Sequence, residues 1–332
     1  MSLLSNLTSD GRIEIECDSS YNNNIEITKY VVQMVYLVPG LMVHIAILRT
    51  ILWKYRKFYR SNSFFMIYTM DSIASLTLLT IDVLYGRMMI YVPPLCPILT
   101  PLFFDPSIIL KILYILPNYA RGAKSVTQIM MSLNRMSCVI SPLSYVSRWR
   151  FYIKIAIFII STSPLLVTWN LFLSRMYVSP TFGGFSYNYI KYVKWASLSL
   201  FQFTFLSLAI IFTVICTAVT LGYLLMLPNR VKTAERTLCI ANVTISGAFM
   251  IVAFFQSIFA FCSSCNSDTL FSIQFLSYDF LNISSPIVII MMNPQLREHM
   301  FHKNQENSNA FFKVSVVTQS NGRSSNIVST NR

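Results

Sequence analysis

Four long stretches without a charged residue constrain the fold of this chain more than any other feature. They cover residues 30–48, 155–174, 195–227 and 237–267. A helix needs about 17–25 apolar residues to cross a hydrocarbon layer of about 30 Å, and each stretch reaches that length. Only 12% of the 332 residues are charged, whereas soluble domains carry about 25%. The sequence therefore predicts helices that face lipid.

Three further segments are long and apolar enough to cross a membrane although they contain charges. They are residues 64–85 with Asp71 and Asp82, residues 112–139 with Arg121, Lys124 and Arg135, and residues 270–292 with Asp279. An ionisable side chain in lipid is costly unless it is sheltered, so these segments should face the interior of a bundle. The predicted fold is therefore all-α, a polytopic membrane protein with a seven-transmembrane helix bundle.

The predicted spans divide the chain into three parts. Residues 1–29 form an N-terminal segment, residues 30–292 the seven-transmembrane domain, and residues 293–332 a polar, serine-rich tail that should be mostly disordered. The spans cover residues 30–51, 64–85, 112–139, 153–174, 195–227, 239–262 and 270–292. Residues 294–303 could form a short surface helix with Leu296 and Met300 against the lipid headgroups, or could continue the seventh span.

The basic residues predict the orientation in the membrane. The formal net charge is +13, and 17 of the 26 lysines and arginines fall on the side of the C-terminal tail, against seven on the opposite side. By the positive-inside rule the N-terminus is outside and the C-terminus is cytoplasmic. The acidic N-terminal segment, with a glycosylation acceptor at Asn6, agrees with that placement. The basic excess thus reflects the lipid bilayer and predicts no nucleic-acid partner.

Four cysteines fall on the predicted outer side, where the environment is oxidising. They permit two disulfides in three pairings, and sequence alone does not choose between them. Cys17 with Cys96 and Cys262 with Cys265 is the favoured set. Because a bridge across two residues demands a tight turn, Cys262 and Cys265 could equally be free thiols.

The charges inside the spans are the candidate functional residues. Arg121 and Lys124 lie three residues apart and hence on one helix face. We expect Lys124 to pair with Asp71 or Asp279, and Arg121 to pair with Asp279 or Asp82, because an unpaired charge at this depth is too costly. Such pairs could simply fix helix packing, or one charge could contact a ligand or exchange partners. The sequence contains no catalytic or metal-binding signature, so neither an enzyme nor a cofactor is predicted.

Three short motifs carry a resemblance to a known family. The third span ends in Asn-Arg-Met-Ser at residues 134–137, the second begins with Asn-Ser-Phe-Phe at 62–65, and the seventh is followed by Asn-Pro-Gln-Leu-Arg at 293–297. Together with the seven spans, they resemble G-protein-coupled receptors and, more specifically, the nematode serpentine receptors of class gamma. Asn134 stands where rhodopsin-like receptors have an acidic residue before the arginine.

The resemblance implies a function and roles for particular residues. It implies a chemoreceptor of the plasma membrane of sensory neurons, which binds a small chemical ligand and signals through a heterotrimeric G protein. Arg135, beside Asn134, would face the G-protein cavity, and Asp71 would be the acidic residue of the second span. The chain departs from the rhodopsin-like pattern because it has no cysteine between the fourth and fifth spans. The alternative function is a seven-span ion channel or transporter, although the chain shows no internal repeat.

Overall fold

Long helices make up most of the structure, a computed structural model that describes residues 12–226, 229–262 and 268–301. In chain order they are α1 (Asn23–Arg49), α2 (Arg56–Arg60), α3 (Ser63–Ile81), α4 (Met88–Tyr91), α5 (Cys96–Leu99), α6 (Ile108–Ile140), α7 (Pro142–Thr162), α8 (Leu165–Leu173), α9 (Leu198–Met226), α10 (Asn229–Phe261), α11 (Asp268–Met292) and α12 (Pro294–Phe301). The chain divides into one unit, Met1–Met300, and a second, Phe301–Arg332. The helices pack on one another within the first.

Five helical stretches are long and apolar enough to cross a membrane. They are Asn23–Lys54, Ser63–Tyr91, Pro142–Leu173, Leu198–Tyr223 and Thr269–Met292. Pro93–Phe103 and Ile108–Ile140, which meet at a bend of 114°, make a sixth if they count as one span. α10 contributes a shorter apolar stretch, Val243–Ile258. The chain is therefore a helical multi-pass membrane protein with five or six spans on these criteria.

The helices extend beyond several of the predicted span boundaries. α1 begins at Asn23, inside the predicted N-terminal segment, where the side chain of Asn22 caps it by accepting a hydrogen bond from the Asn24 amide. Beyond α3, a π-helical segment from Asp82 to Arg87 carries the helix on into α4. The second span thus ends at Tyr91, because the apolar run after Arg87 continues the helix.

The prediction of an all-α fold is wrong between α8 and α9. There the chain forms an antiparallel hairpin of β1 (Arg175–Thr181) and β2 (Gly184–Ile190). The loop residues Phe182 and Gly183 both have positive φ, at 54° and 77°, as in a type I′ turn, which matches the twist of paired strands. Aromatic residues at 185, 187 and 189 alternate along β2 with the period of a strand.

The hairpin packs into one end of the helix bundle, which we call the hairpin end. Val178 and Phe185 are almost fully buried there, in a core that includes Leu110 and Leu171. A Cβ atom at Gly184 would lie only 2.2 Å from the carbonyl oxygen of Met89. Glycine at this position therefore lets the strand approach the backbone of α4 closely.

A disulfide joins the N-terminal segment to the loop between the second and third long helices. Cys17 and Cys96 are bonded across 79 residues of sequence, the pairing that the sequence analysis favoured. Both belong to the core under the hairpin. Cys262 is also disulfide-bonded, while Cys265 lies outside the described residues, as does the acceptor Asn6.

The opposite end of the bundle carries α12, and we call it the α12 end. Leu296 is fully buried there against a core that includes Tyr59 and Trp149, with Met300 packed beside it. The expectation that Leu296 and Met300 lie against lipid headgroups is therefore wrong. These side chains instead fill the gap that the ends of the long helices leave.

Candidate functional site

A buried ion pair joins Arg87 to Asp279. The Arg87 side chain is fully buried and donates from both terminal nitrogens to the Asp279 carboxylate, at 2.6 and 2.9 Å. Tyr36 donates a third hydrogen bond to the same carboxylate at 2.8 Å, and Gln33 accepts one from Arg87 at 2.9 Å. Both predicted partners of Asp279, Arg121 and Lys124, are therefore wrong. The π-helical segment carries Arg87 into the bundle, whereas the sequence analysis left it in an outer loop.

Arg121 lies near Asp82, the other of its two predicted partners, but too far away to form a hydrogen bond with it. Its nearest nitrogen lies 3.9 Å from Asp82 Oδ1, while Asp82 Oδ2 accepts from Arg87 at 3.3 and 3.4 Å. The guanidinium also donates to Asn118 at 3.0 Å and lies 4.8 Å from the ring centre of Tyr278. Asp82 is thus shared between two arginines, and Arg87 is the closer of them.

The Lys124 ammonium lies within a buried polar cluster. It is 3.3 Å from Asp71, one of its two predicted partners, and donates to Ser75. Thr127 and Ser285 each donate to Asp71 at 3.2 Å. The carboxylate therefore has three partners, two on α6 and one on α11, which offsets the cost of burying it.

A cavity of about 260 Å³ lies beneath the hairpin. Its walls come from β2 and from the hairpin-end halves of the helices around it, and include Asp82, Arg121, Tyr187, Gln202, Gln256 and Tyr278. The Tyr187 hydroxyl donates to the sulfur of Met89, and burial raises the pKa of this phenol above its usual range. Converging polar groups between apolar side chains, here Ile90, Leu198 and Phe275, are typical of a small-molecule site.

Four amide side chains, one from each of α11, α10, α9 and α6, form a hydrogen-bonded chain across this cavity. Gln274 donates to Gln256 at 2.9 Å, Gln256 to Gln202 at 3.3 Å, and Gln202 to Asn118 at 2.7 Å. We call these four residues the amide chain. Arg121 completes it at the α6 end, because it donates to the same Asn118 oxygen. The amide chain therefore links four helices through one continuous network.

A narrow apolar slot continues from the cavity toward the middle of the bundle. Arg121, Gln202 and Tyr278 line both spaces. The slot itself, of about 20 Å³, has the apolar walls Val167, Phe205, Leu206, Phe249 and Leu281. The two spaces together form a polar chamber next to the hairpin and an apolar recess toward the middle of the bundle.

At the α12 end, Asn134 is held in a closed triangle of hydrogen bonds. It is fully buried, donates to Ser63 at 2.8 Å and accepts from Tyr145 at 3.0 Å, while Ser63 and Tyr145 bond each other at 2.9 Å. The neighbouring Arg135 guanidinium lies 3.7 Å from the ring centre of Phe64, a cation–π contact. The Asn-Arg pair of α6 is thus tied to the start of α3.

Comparison with known proteins identifies the family. A family model described as Srg family chemoreceptor matches residues 30–300. The chain belongs to the Srg family of chemoreceptors. The resemblance inferred from the three short motifs is thereby confirmed. Since the family is one of receptors, this Srg protein is grouped with receptors and not with enzymes.

Relatives in Caenorhabditis elegans cover nearly the same length. The chain is 46% identical to serpentine receptor class gamma-16 over 285 residues, 86% of this chain and 88% of the relative. It is 42% identical to serpentine receptor class gamma-11 over 313 residues, 93% of each. It is also 42% identical to serpentine receptor class gamma-15 over 306 residues, 92% of this chain and 95% of the relative.

The sequence analysis of this Srg chemoreceptor missed residues of two kinds. Arg87 precedes the apolar run Met-Met-Ile-Tyr at 88–91, a sign that the helix continues past it. The glutamines of the amide chain are uncharged, so a search for charges in the spans passed over them. Among residues 12–226, 229–262 and 268–301, no group of three or more His, Cys, Asp or Glu side chains could hold a metal ion.

Proposed function

We propose that this protein is a chemosensory G-protein-coupled receptor. A small chemical ligand binds in the cavity beneath the hairpin, and a heterotrimeric G protein binds at the α12 end. The observation that carries the proposal is the amide chain, which crosses the cavity and joins four helices. A ligand in that cavity would compete for the hydrogen bonds of these four side chains.

The proposal includes seven spans, with the hairpin end outside the cell and the α12 end in the cytoplasm. The excess of basic residues toward the C-terminal side supports this orientation. The Cys17–Cys96 disulfide at the hairpin end supports it as well, because disulfides persist in oxidising surroundings. The receptor would then lie in the plasma membrane, in chemosensory neurons, with Asn6 available for glycosylation.

A ligand would act by shifting the population of two helix arrangements. With the amide chain intact, α6, α9, α10 and α11 are hydrogen-bonded to one another. A ligand that replaces one of those hydrogen bonds favours any arrangement in which the helices have moved apart, by the difference between its affinities for the two. The change reaches the α12 end along rigid helices, since α6 carries Asn118 near one end and Asn134 near the other.

Asn134 and Arg135 are the proposed G-protein-coupling residues. In the arrangement described here, Asn134 is occupied by Ser63 and Tyr145, and Arg135 lies over Phe64. We expect activation to release Arg135 from the start of α3 and to expose it to the G protein. Unlike an acidic residue at position 134, the neutral Asn134 forms no salt bridge with Arg135.

Two variants test the proposal with a ligand screen and a second-messenger readout in heterologous cells. Arg135→Ala should reach the cell surface and respond to no ligand, because the coupling arginine is gone. Gln256→Leu should change the response to ligands, because it breaks the middle of the amide chain. The matched controls Arg148→Ala, at an exposed arginine, and Phe254→Leu, at a side chain 62% exposed, should respond as the unmodified receptor does. Normal signalling by Arg135→Ala would contradict the proposed coupling.

A further inference from the structure

The charges around the cavity differ in how completely they are paired. Asp279 accepts two hydrogen bonds from Arg87 and one from Tyr36. Arg87 is fully buried and also reaches Gln33 and Asp82. Arg87 thus uses all five of its N–H donors, and Asp279 accepts three hydrogen bonds with a side chain that is only 5% exposed. Asp82 and Arg121, by contrast, line the cavity, and 22% of each side chain is exposed.

Of these two cavity charges, Arg121 is the less satisfied. Asp82 already has the closer partner, Arg87, at 3.3 Å, and Arg121 stays 3.9 Å away, beyond hydrogen-bond distance. The Arg121 Nε atom is buried and has no hydrogen-bond partner among the described residues. A guanidinium has five N–H donors. Among the described residues, one side-chain oxygen, that of Asn118, accepts a hydrogen bond from Arg121, and the same oxygen also accepts one from Gln202. The cavity therefore lacks an acceptor beside Arg121.

We infer that the ligand carries a carboxylate, which binds to Arg121, and that the rest of the ligand lies in the cavity beneath the hairpin. This inference rests on the proposed function. A carboxylate supplies the missing acceptors, and its two oxygens match the planar fork of a guanidinium. Arg121 lies where the polar chamber meets the slot walled by Val167, Phe205 and Leu206. The slot, of about 20 Å³, has room for about one water molecule, so the rest of the ligand must lie in the cavity of about 260 Å³.

Asp82 is a weak internal substitute for that carboxylate. It lines the same cavity as Arg121, and at 3.9 Å it forms no hydrogen bond that a ligand would have to break. A ligand carboxylate would replace Asp82 beside Arg121, and Asp82 would keep Arg87 as its partner. Each carboxylate would then still be paired with a cation. The two charges therefore predict opposite effects of substitution on the binding of an acid.

The experiment measures thermal unfolding of the purified full chain in detergent with three matched probes: benzoate, benzamide and benzylamine. A compound that binds only the folded state raises the unfolding temperature. Benzoate should raise it most and benzylamine least. Arg121→Gln should weaken benzoate binding by roughly tenfold or more, as expected for the loss of a charge-assisted hydrogen bond. Asp82→Asn should strengthen it, because the competing carboxylate is gone.

Two further variants keep the test decisive. Arg121→Lys retains the charge without the fork, so it should fold and bind benzoate more weakly than arginine does. Arg12→Gln removes an arginine that is 53% exposed beside Asp105 and should leave benzoate binding unchanged. A benzoate shift that persists in Arg121→Gln, the absence of any benzoate shift, or a larger shift with benzylamine would each overturn the inference.

The same variants in the cell assay separate this inference from the proposed function. If the screen finds activators whose responses are unchanged in Arg121→Lys and Arg121→Gln, the carboxylate site is wrong and the chemoreceptor proposal stands. If benzoate binds through Arg121 but no compound evokes a second messenger, the proposed coupling is wrong and the carboxylate site stands. If acidic activators lose potency in Arg121→Gln, both are supported.

Discussion

At the scale of single residues, burial determines how much an ion pair contributes to the stability of the protein. Arg87, near the end of the second long helix, is fully buried, whereas Arg12 is 53% exposed although both are paired with aspartate. Exposed pairs contribute little because water already solvates both charges. A buried pair contributes mainly by preventing an uncompensated charge, so the loss of one partner is far more damaging than the loss of both.

We therefore predict that Arg87→Met destabilises the protein by about 3–5 kcal/mol, because Asp279 remains buried without its cation. Adding Asp279→Leu to the same chain should recover much of that loss. Unfolding in detergent and the amount of protein at the cell surface both measure the effect. Arg12→Met is the matched control and should change neither. If the double variant is as unstable as Arg87→Met, the explanation through the unpaired carboxylate is wrong.

At the scale of elements, α12 is attached to the bundle through one histidine as well as through Leu296. The His299 ring stacks on Tyr55 with centres 4.0 Å apart, and its Nδ1 is 2.8 Å from the hydroxyl of Tyr59. Burial lowers the pKa of His299 below its ordinary value of 6.5; Glu298 opposes the shift and Lys54 adds to it. The docked helix therefore holds this histidine in its neutral form.

The sign of the pH effect follows from that shift. A lowered pKa means that the undocked histidine binds a proton more readily, so docking is complete above about pH 6.5 and weakens as the pH falls below it. We expect the α12 amides to exchange hydrogen faster at about pH 5.5 than at about pH 7.5, after correction for intrinsic exchange rates. His299→Phe keeps the ring contacts without a titrating group and should show no such difference. A pH effect of equal size in that variant would assign it to another residue.

At the scale of the whole molecule, the two ends of the bundle are chemically different. The hairpin end combines β1 and β2, the Cys17–Cys96 disulfide and the cavity. The α12 end combines the Asn134 triangle with the basic segments that follow the first, third and fifth predicted spans. Such a division is expected of a receptor that binds its ligand on one side of a membrane and transmits the signal on the other.

Topology can be measured directly. An epitope tag placed before residue 12 should be accessible to antibody on unpermeabilised cells, and a tag placed after residue 301 only after permeabilisation, because the proposed orientation, based on the basic residues, puts the α12 end in the cytoplasm. The opposite pattern would favour the seven-span ion channel, since insect-type odorant channels have the reverse orientation.

Sequence reasoning located some site residues and failed for others, for physical reasons. Lys124 could be assigned to Asp71 or Asp279 because helix geometry gives the approximate depth of each residue in a span. Arg87 could not be assigned, because it depended on a π-helical segment that extends the span beyond its predicted end. The hairpin was missed because the search was for long apolar stretches, although its aromatic residues alternate with the period of a strand.

The sequence by itself determined that the chain spans a membrane as apolar helices, and its short motifs pointed to the Srg family. Those properties are local, because lipid accepts only apolar stretches of sufficient length and each stretch can be recognised alone. The tertiary structure alone decided that Arg87, 192 residues away along the chain, is the partner of Asp279, and that Arg121 faces the cavity with unused donors. Which charged side chains pair with each other depends on how the helices pack, and no local sequence pattern shows that packing.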